Sequence, residues 1–389
     1  MTMAENKDKK VLNVPPLRFP EFSGEWDYST IGSEFDLYSG NTPSRLDKEQ
    51  FNGDVNWISS GELKEHYIYD SKEKITEEAA SYNNLRLLPI GTFVIAIYGL
   101  EAEGVRGTGS IIKKKSTISQ ACMAFSSKGA IINEFLYSWY KKHGNLIGLK
   151  YAQGTKQQNL SYDIISQFRI SYPSIKEQKK LEEFISLLDE RIATQNKIIE
   201  DLKKLKSAIT DLLFHSIADA HTIRLGKIAH ITNGAGDVQD ANTEHQEDWY
   251  PFFDRSEELK WFPTYSFDKE AVIYAGEGQS FYPRYYNGKF ALHQRCYAIT
   301  DFASCIIPKY CYHFMNTLNS YFVRNSVGST VPSLRMDIFQ KVEIRLPPIS
   351  KQQHICKIID AFYTKLEVEQ RGISILQELK QFLLSQMFI

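Results

Sequence analysis

The sequence is poor in the features that mark secreted, membrane-bound or metal-binding proteins. Its five cysteines are an odd number and show no Cys-x-x-Cys spacing, which argues against a zinc ribbon or a disulfide scaffold and favours buried thiols in a reducing compartment. There is no run of about 18 apolar residues and no apolar core near the first methionine, so we expect neither a membrane span nor a secretory signal. The sequence predicts a soluble, cytoplasmic protein.

Motifs for catalysis or cofactor binding are also missing. The nearest approach to a nucleotide-binding loop, Gly148 to Lys156, has the wrong spacing and is followed by Gln157 where Ser or Thr is needed. Leu346-Pro347-Pro348 lacks the flanking polar and aromatic residues of an adenine-methylation motif. His293 and His313 have no Cys or carboxylate at ligand spacing. We expect no catalytic residue, no metal and no cofactor.

Bulk charge gives no hint of a partner, because the formal net charge is −1. The 389 residues, 42% of them hydrophobic, are enough for two or more packed domains.

An internal repeat organises the chain. The residues paired at an offset of 174 are Gly154 with Gly328, Asp163 with Asp337, Pro173 with Pro347 and Gln178 with Gln352. Carried backwards without a gap, the offset matches Gln120-Ala-Cys122 to Gln294-Arg-Cys296. Residues 120–215 are therefore expected to repeat as 294–389.

Nearer the start the repeat continues at an offset of 194. The matched residues are Ile31-Gly32 with Leu225-Gly226 and Gly40 with Gly234. The second copy has thus lost 20 residues between Gly40 and Gln120, and the halves differ most inside this window. A repeated frame around a divergent interior predicts two sites of one kind that are tuned to different targets.

Each copy ends in a long amphipathic helix with the 4-3-4-3 spacing of a coiled-coil seam. The predicted seam residues are Leu181, Ile185, Leu188, Ile192, Ile199 and Leu202 in the first helix and Ile355, Ile359, Phe362, Leu366, Ile373 and Leu376 in the second. From Leu181 to Leu213 the first helix would be about 48 Å long. Two such stripes most simply bury each other. The alternative, each helix packed on its own domain, is less favoured because so long a seam exceeds what a small domain covers.

Short apolar runs at Gly91–Ile97 and Ala271–Tyr274 predict strands, and Phe135–Tyr140 and Tyr310–Met315 predict one short helix in each half. The predicted fold class is α+β: two globular parts separated by a long antiparallel two-helix coiled coil, with an internal two-fold pseudo-repeat.

The positive signal for nucleic acid is local charge. Residues 104–160 carry nine Lys and Arg against Glu134 alone, a local charge of +8, and residues 281–345 carry a local charge of +5. A protein that binds duplex DNA needs such positively charged segments, since contacts with the phosphates supply most of the non-specific affinity.

The candidate DNA contacts combine these cations with polar and aromatic neighbours. They are Arg106, Lys113, Lys114, Lys115, Gln120 and Lys156 in the first half and Arg284, Tyr285, Tyr286, Lys289, Gln294, Arg295 and Arg335 in the second. Arg can bond guanine at two points and Gln can bond adenine. Asn287-Gly288 is predicted to form a hairpin turn. Gln120 and Gln294 are at equivalent positions of the repeat, so the alternative is that they have a structural role.

At this point the chain resembles a known family, the DNA-specificity subunits of type I restriction–modification enzymes. Leu17–Trp26 followed by Ile31-Gly32 looks like the opening of many of these subunits, and Ile344–Ile349 with Gln352 resembles the run that enters their long helices. Phe281–Tyr297 looks like a target-recognition segment. The resemblance covers essentially the whole chain. It depends on the duplication together with these sequence segments.

The resemblance implies a division of labour. Residues 1–174, with an N-terminal arm at 1–22, and residues 216–348 would be target-recognition domains for the two halves of a split DNA site. Residues 175–215 and 349–389 would be spacer helices that dock two methyltransferase subunits, with Glu182, Lys197, Lys357 and Gln377 as outward positions. Restriction subunits would join through the methyltransferases. The chain itself would be non-catalytic.

Two other readings remain. A coiled-coil adaptor that binds proteins but not DNA is favoured by the neutral net charge and opposed by the two basic stretches in register. A self-sufficient methyltransferase or nuclease is opposed by the missing motifs.

Overall fold

The structure, a computed structural model, describes residues 12–101, 104–154, 158–217, 219–328 and 330–389. Contacts divide the chain into two compact units, Met1–Gln195 with Gly372–Ile389, and Asn196–Arg371. Each unit therefore contains one globular part, half of the helix that follows it and half of the other long helix. Lys156 and residues 1–11 of the predicted arm lie outside the described residues.

In its described residues the first unit contains ten strands and the first helices. The strands are β1 Asp27–Thr30, β2 Phe35–Ser39, β3 Val55–Ile58, β4 Tyr67–Ile68, β5 Glu73–Ile75, β6 Phe93–Ala96, β7 Gly109–Ile112, β8 Ser116–Ile118, β9 Cys122–Ser127 and β10 Arg169–Tyr172. The helices are α1 Ile31–Glu34, α2 Glu77–Tyr82, α3 Asn133–Tyr151, α4 Tyr162–Ser166 and the long α5 Ile175–His215, of which the unit holds the part up to Gln195.

These strands form three sheets, in the orders β2-β9-β6-β7-β4, β5-β3-β8 and β1-β10. Strand β6 is central to the largest sheet and is buried throughout. It lies within the predicted strand Gly91–Ile97. Helix α3 covers this sheet, and its buried residues, among them Phe135 and Trp139, join the core.

The second unit repeats this plan with longer strands. Its strands are β11 His221–Arg224, β12 His230–Asn233, β13 Tyr250–Phe253, β14 Lys260–Phe262, β15 Phe267–Ala275, β16 Arg284–Leu292, β17 Cys296–Thr300 and β18 Glu343–Leu346. Its helices are α6 Pro308–Asn316, α7 Asn319–Asn325, α8 Met336–Lys341 and the long α9 Ile349–Met387, of which the unit holds the part up to Arg371. The sheets have the orders β12-β17-β15-β16-β13-β14 and β11-β18.

The predicted hairpin turn at Asn287-Gly288 is wrong. Both residues lie inside β16, where Asn287 pairs with Glu270 and Gly288 with Lys269 of β15. The chain reverses instead between Ala275 and Arg284, the ends of these two strands. Pairing along the two long strands, with Phe290 fully buried, outweighs the local turn preference of Asn-Gly, and Gly288 accommodates a φ of +131°.

The repeated glycines are explained by close packing. A Cβ on Gly40 would lie 1.9 Å from the carbonyl oxygen of Ile118, and one on Gly234 would lie 2.1 Å from that of Leu292. These carbonyl positions are themselves equivalent at the offset of 174. Only a residue without a side chain fits at either place.

The repeated glutamines are explained by hydrogen bonding. Gln178 and Gln352 are fully buried. Gln178 donates to the carbonyls of Pro173 and Ala130 and accepts from the amide of Ile132, at 2.8 to 2.9 Å. Gln352 makes the equivalent bonds to Pro347, Cys305 and Ile307, all at 2.9 Å. Such fully satisfied side chains fix the start of each long helix on its domain.

These hydrogen bonds also correct the predicted alignment of the two copies. Ala130 and Ile132 correspond to Cys305 and Ile307, an offset of 175. The ungapped match between Gln120 and Gly154 is therefore wrong, because the second copy gains one residue before this point and loses it again before Gly328.

Within each unit the two long helices pack antiparallel. In the first unit Lys380 of α9 pairs with Asp189 of α5, and a Cβ on Gly372 would lie 3.9 Å from the Gln195 amide. In the second unit Lys206 lies over the ring of Tyr363 at 4.1 Å. Lys206 and Lys380 are equivalent in the repeat, as are Asp189 and Tyr363. At this position the two long helices are therefore joined by an ion pair in the first unit and by a cation–π contact in the second.

All twelve predicted seam residues are buried or half-buried. The last residues of α9 enter the core of the first unit through Leu383, Leu384, Met387 and Phe388. In the described part of the chain no helix is long and apolar enough to cross a membrane.

Candidate nucleic-acid interface

Both units contain the same tight turn, directly before β9, which pairs with β6, in the first unit and directly before β17, which pairs with β15, in the second. We call Ser119–Cys122 the first shared turn and His293–Cys296 the second. The amide of the fourth residue donates to the carbonyl of the first at 3.0 and 2.8 Å. The first residue is held too: Ser119 N bonds Ile58 O, and His293 N bonds Phe253 O, both at 2.9 Å.

The side chains at these turns differ. Ser119 is buried, whereas His293 is half-buried. The second residue is an exposed glutamine in both, Gln120 and Gln294. The third residue is Ala121 in one turn and an exposed Arg295 in the other. The same backbone therefore presents two different surfaces.

A polar cleft of about 560 Å³ surrounds the second shared turn. Its walls come from the chain after β12, the chain after β13, the chain after β15 and the turn itself. The lining residues are Asp237, Val238, Asp254, Arg255, Ser256, Lys260, Gly276, Glu277, His293, Gln294, Arg295 and Cys296.

Two pairs of opposite charge lie in this cleft. Arg295 donates to Glu277 at 2.7 Å while 66% of its side chain is exposed. Lys260 donates to Asp254 at 2.7 Å in a far more enclosed pair. Burial raises the pKa of Asp254, but its hydrogen bonds from Lys260 and Ser256 outweigh burial and lower it overall. Arg284 donates to the carbonyl of Ser256, so Arg284 supports the wall of the cleft.

The surface around the first shared turn is less charged. Ser59 follows β3 and is locked by Glu62, whose carboxylate accepts from the Ser59 amide at 2.9 Å. Ile97 N bonds Ala121 O at 2.9 Å, which brings the neighbouring Tyr98 to the turn. The Tyr98 side chain is 38% exposed. This surface offers hydroxyls and an amide, where the second offers Arg and His.

Most predicted cations of the first unit lie away from this turn. Lys113, Lys114 and Lys115 stand at the other end of β8. Lys113 lies over the ring of Tyr67 at 4.0 Å and 3.9 Å from Glu134. Lys114 pairs with Asp70 at 3.2 Å, whereas Lys115 is exposed. Arg106 packs its stem on Gly148 and donates to Gln158 at 3.1 Å.

Beside Lys113 lies a half-buried ionic cluster centred on His66. The His66 ring stacks between Tyr67 and Tyr137, with 3.9 Å between centroids on each side. Its Nε2 lies 3.0 Å from Glu134, and its Nδ1 lies 3.6 Å from Asp189. Burial lowers the pKa of His66, but Asp189 and Glu134 outweigh burial and raise it above the ordinary value. These contacts join α3 to α5, which is a structural role.

The predicted aromatic and basic residues of β16 are divided between two faces. Tyr286 packs on Phe253 and Phe290 inside the sheet, whereas Tyr285 contacts Tyr312 of α6 and donates to Glu270. Burial, with Glu270, raises the pKa of Tyr285. Lys289 lies 4.7 Å from the Tyr265 ring. Arg335 is exposed at the start of α8, two residues after Ser333, the bridge partner of Glu277.

The structure thus brings Arg284, Gln294 and Arg295 together and leaves the other predicted contacts of the second unit apart. Arg255, His293 and Lys260 line the same cleft and were not among the predicted contacts. Their signal was available in part, because Arg255 follows the apolar run Tyr250–Phe253 with only Asp254 between them. Acidic residues on both sides of this run lower the local net charge, so the run was not recognised as basic.

Three of the four outward helix positions, Lys197, Lys357 and Gln377, are exposed. Glu182 is half-buried instead, and burial with Glu134 raises its pKa. It faces the cluster around His66, so its assignment to an outward surface is wrong.

Comparison with known proteins agrees with this architecture. A family model described as the type I restriction modification DNA specificity domain matches twice, at residues 23–204 and 218–381. The MjaIX specificity subunit of a type I restriction enzyme from Methanocaldococcus jannaschii is 24% identical over 93% of this chain and 92% of its own. The EcoDI specificity subunit from Escherichia coli is 31% identical over 42% of this chain and 36% of its own.

Among solved structures, the S subunit of a type I restriction–modification system from M. genitalium has a TM-score of 0.62 at 18% identity and covers 97% of this chain and 99% of its own. This likeness shows the fold. The predicted α+β repeat and the predicted family are confirmed, and nothing in these comparisons supports the protein-only adaptor.

Proposed function

Because the chain belongs to the family of type I restriction–modification DNA specificity domains, we propose that it is the DNA-reading subunit of such a complex and recognises a bipartite site. The observation that carries this proposal is the shared turn, which has the same hydrogen-bonded backbone in both units and different side chains. One backbone that presents two sets of side chains is what recognition of two half-sites requires.

In the second unit the cleft supplies the chemistry of base recognition. Arg295 and Arg255 can bond guanine at two points, and Gln294 can bond adenine. The exposed pair of Arg295 with Glu277 does not prevent this, because such surface pairs contribute only about 0–1 kcal/mol. Enclosed Lys260 and Asp254 hold the wall in place.

In the first unit Gln120 and Tyr98 are the proposed base contacts. Arg106 and Lys156, both predicted from the sequence, are proposed as phosphate contacts. In this proposal Lys113 and Lys114, which are paired with carboxylates, stabilise the fold and do not contact DNA. A surface with fewer cations implies that the first half-site is read more by hydroxyl and amide groups.

The long helices are proposed as the docking surface for two methyltransferase subunits, which in turn hold the restriction subunits. Beside the seam, each helix exposes a second apolar stripe at heptad spacing. The stripes are Ile198, Leu205 and Leu212 on α5 and Val368, Ile375 and Phe382 on α9, between 37% and 63% exposed. Repeated exposed apolar residues on one helix face fit a protein partner.

We assign residues 1–174 and 216–348 to target recognition and residues 175–215 and 349–389 to the spacer helices. The chain performs no catalysis in this scheme and needs no cofactor. Methyltransferase subunits bring S-adenosylmethionine chemistry to adenine, restriction subunits bring ATP-driven translocation and cleavage, and the assembly works in the cytoplasm.

The test is a map of methylated adenines in DNA from cells that express the chain with its methyltransferase subunit. We expect a single motif of two half-sites with a fixed gap. Arg295→Ala should relax one half-site and leave the other unchanged. Lys289→Ala, which removes a cation outside the cleft, is the matched control and should leave the motif intact.

The purified complex should also bind labelled duplex DNA with an affinity that falls as salt rises. A complex that assembles with its partners, yet neither binds duplex at low salt nor methylates a defined motif, would support the adaptor and contradict this proposal.

A further inference from the structure

The second residue of both shared turns is glutamine, and the fold gives no reason for it. Gln120 and Gln294 are exposed. Within the described part of the chain, each takes part in hydrogen bonding through its backbone, as with Ser39 Oγ to Gln120 O and Gln294 N to Gly236 O, and neither side chain has a partner. The second position of such a turn accepts most residues.

Two other identities between the copies have structural reasons. Gln178 and Gln352 are buried and each make three hydrogen bonds. Gly40 and Gly234 stand where a Cβ would collide with a carbonyl. An exposed residue without such a reason can change freely unless something outside the chain requires it.

The residues around the two glutamines have changed. Ser119 corresponds to His293 and Ala121 to Arg295. The last residues of β3 and β13 bond the first residue of each turn. The loops that follow these strands begin with Ser59-Ser60 and Asp254-Arg255. A constant residue in a variable neighbourhood indicates that one feature of the ligand is common to both sites while the rest of the ligand differs.

We infer that Gln120 and Gln294 read the same base, adenine, at equivalent positions of the two half-sites. This inference rests on the proposed function. A glutamine amide both donates and accepts, and it matches the N6 donor and N7 acceptor on the major-groove edge of adenine. The changed neighbours then read the bases that distinguish one half-site from the other.

The experiment is selection of bound sequences from a randomised duplex library by the complex of the chain with its methyltransferase subunit. Gln120→Ala and Gln294→Ala should each lose about 10- to 100-fold discrimination at one adenine of a single half-site. The two affected positions should lie at the same place within their half-sites. Gln353→Ala, an exposed glutamine on α9, is the matched control and should select the wild-type motif.

The acidic variants separate base contact from a role in the fold. Glutamate accepts from the N4 amino group of cytosine, so Gln120→Glu and Gln294→Glu should shift the preference at the same positions from adenine towards cytosine. Their melting temperatures should match that of the wild type.

Relaxation at different bases in the two half-sites, or uniformly weaker binding without a change of motif, would overturn the inference and leave the proposed function standing. A wild-type complex that selects no motif would overturn both.

Discussion

Phe388 offers a direct test of how the end of α9 completes the first unit. Its side chain is fully buried, and its ring lies 5.2 Å from that of Phe135 on α3. Replacing Phe388 by Ala removes this ring contact and leaves a cavity under α3. Phe→Ala substitutions in protein cores typically cost about 3–5 kcal/mol, a large part of a typical total stability of about 5–15 kcal/mol.

For a unit of this size each kcal/mol moves the melting temperature by about 2–4 °C, so Phe388→Ala should lower it by roughly 6–20 °C. Amide hydrogen exchange, resolved by mass spectrometry, should accelerate in Asn133–Tyr151 and remain unchanged in Pro308–Asn316. Phe214→Ala should give the reverse pattern, because Phe214 lies 5.5 Å from Tyr310 and 5.4 Å from Phe314 of α6.

The matched control is Phe382→Ala, on the same helix but 57% exposed, which should change stability by less than about 0.5 kcal/mol. A Phe388→Ala protein that loses no more stability than this control, with unchanged exchange in α3, would refute the placement of this helix end in the first core.

Three further predictions follow from the ionic cluster and the helices. His66→Gln should remove a pH-dependent part of stability: since the folded-state pKa of His66 is raised, its contribution is fully present below the ordinary pKa of about 6.5 and is lost as the pH rises through the raised value. The measurement is the free energy of unfolding of wild type and variant between pH 5 and pH 8. A difference between the two proteins that does not change with pH would contradict this prediction. Phe382→Asp and Lys197→Glu should weaken co-purification with the methyltransferase subunit while the melting temperature stays constant, whereas undiminished co-purification by both would argue against this surface. A heptad inserted after Gln195 and another after Glu369 keeps the seam in phase and lengthens each helix by about 10.5 Å, so the gap between methylated half-sites should widen by roughly three base pairs; a motif with the original gap would show that the helices do not set it.

The long helices were predictable because their seam depends on residues close together in sequence, and the repeat was predictable because matching residues recur in the same order in both halves. The seam spacing and the proline before each helix determine the helices, which begin at Ile175 and Ile349. Gly40, Gly234, Gln178 and Gln352 were recognised as repeated, although only the packing shows why they are retained.

The candidate site was less predictable because its partners come from distant segments. Lys113 and Lys114 look like free cations in the sequence, yet they are balanced by Glu134 and Asp70. The count of local charge included Glu134 without assigning it a partner, and it could not include Asp70, which lies outside the counted segment. For the same reason Arg255 and His293, 38 residues apart in the sequence, were not joined until the parallel pairing of β13 with β16 placed them in one cleft.

The same comparison explains why a duplicated chain can acquire new specificity without losing its fold. Positions that pack or bond across the core, such as Gly40 with Gly234 and Gln178 with Gln352, tolerate little change, because a Cβ or a lost amide would cost stability in either unit. The shared turn fixes the backbone of its second and third residues through hydrogen bonds between its ends, so the side chains of these two residues can vary at little cost to the fold. Variation is thus directed to the surface of the turn. An exposed residue that nevertheless stays constant there, as Gln120 and Gln294 do, is more informative about the ligand than any buried identity.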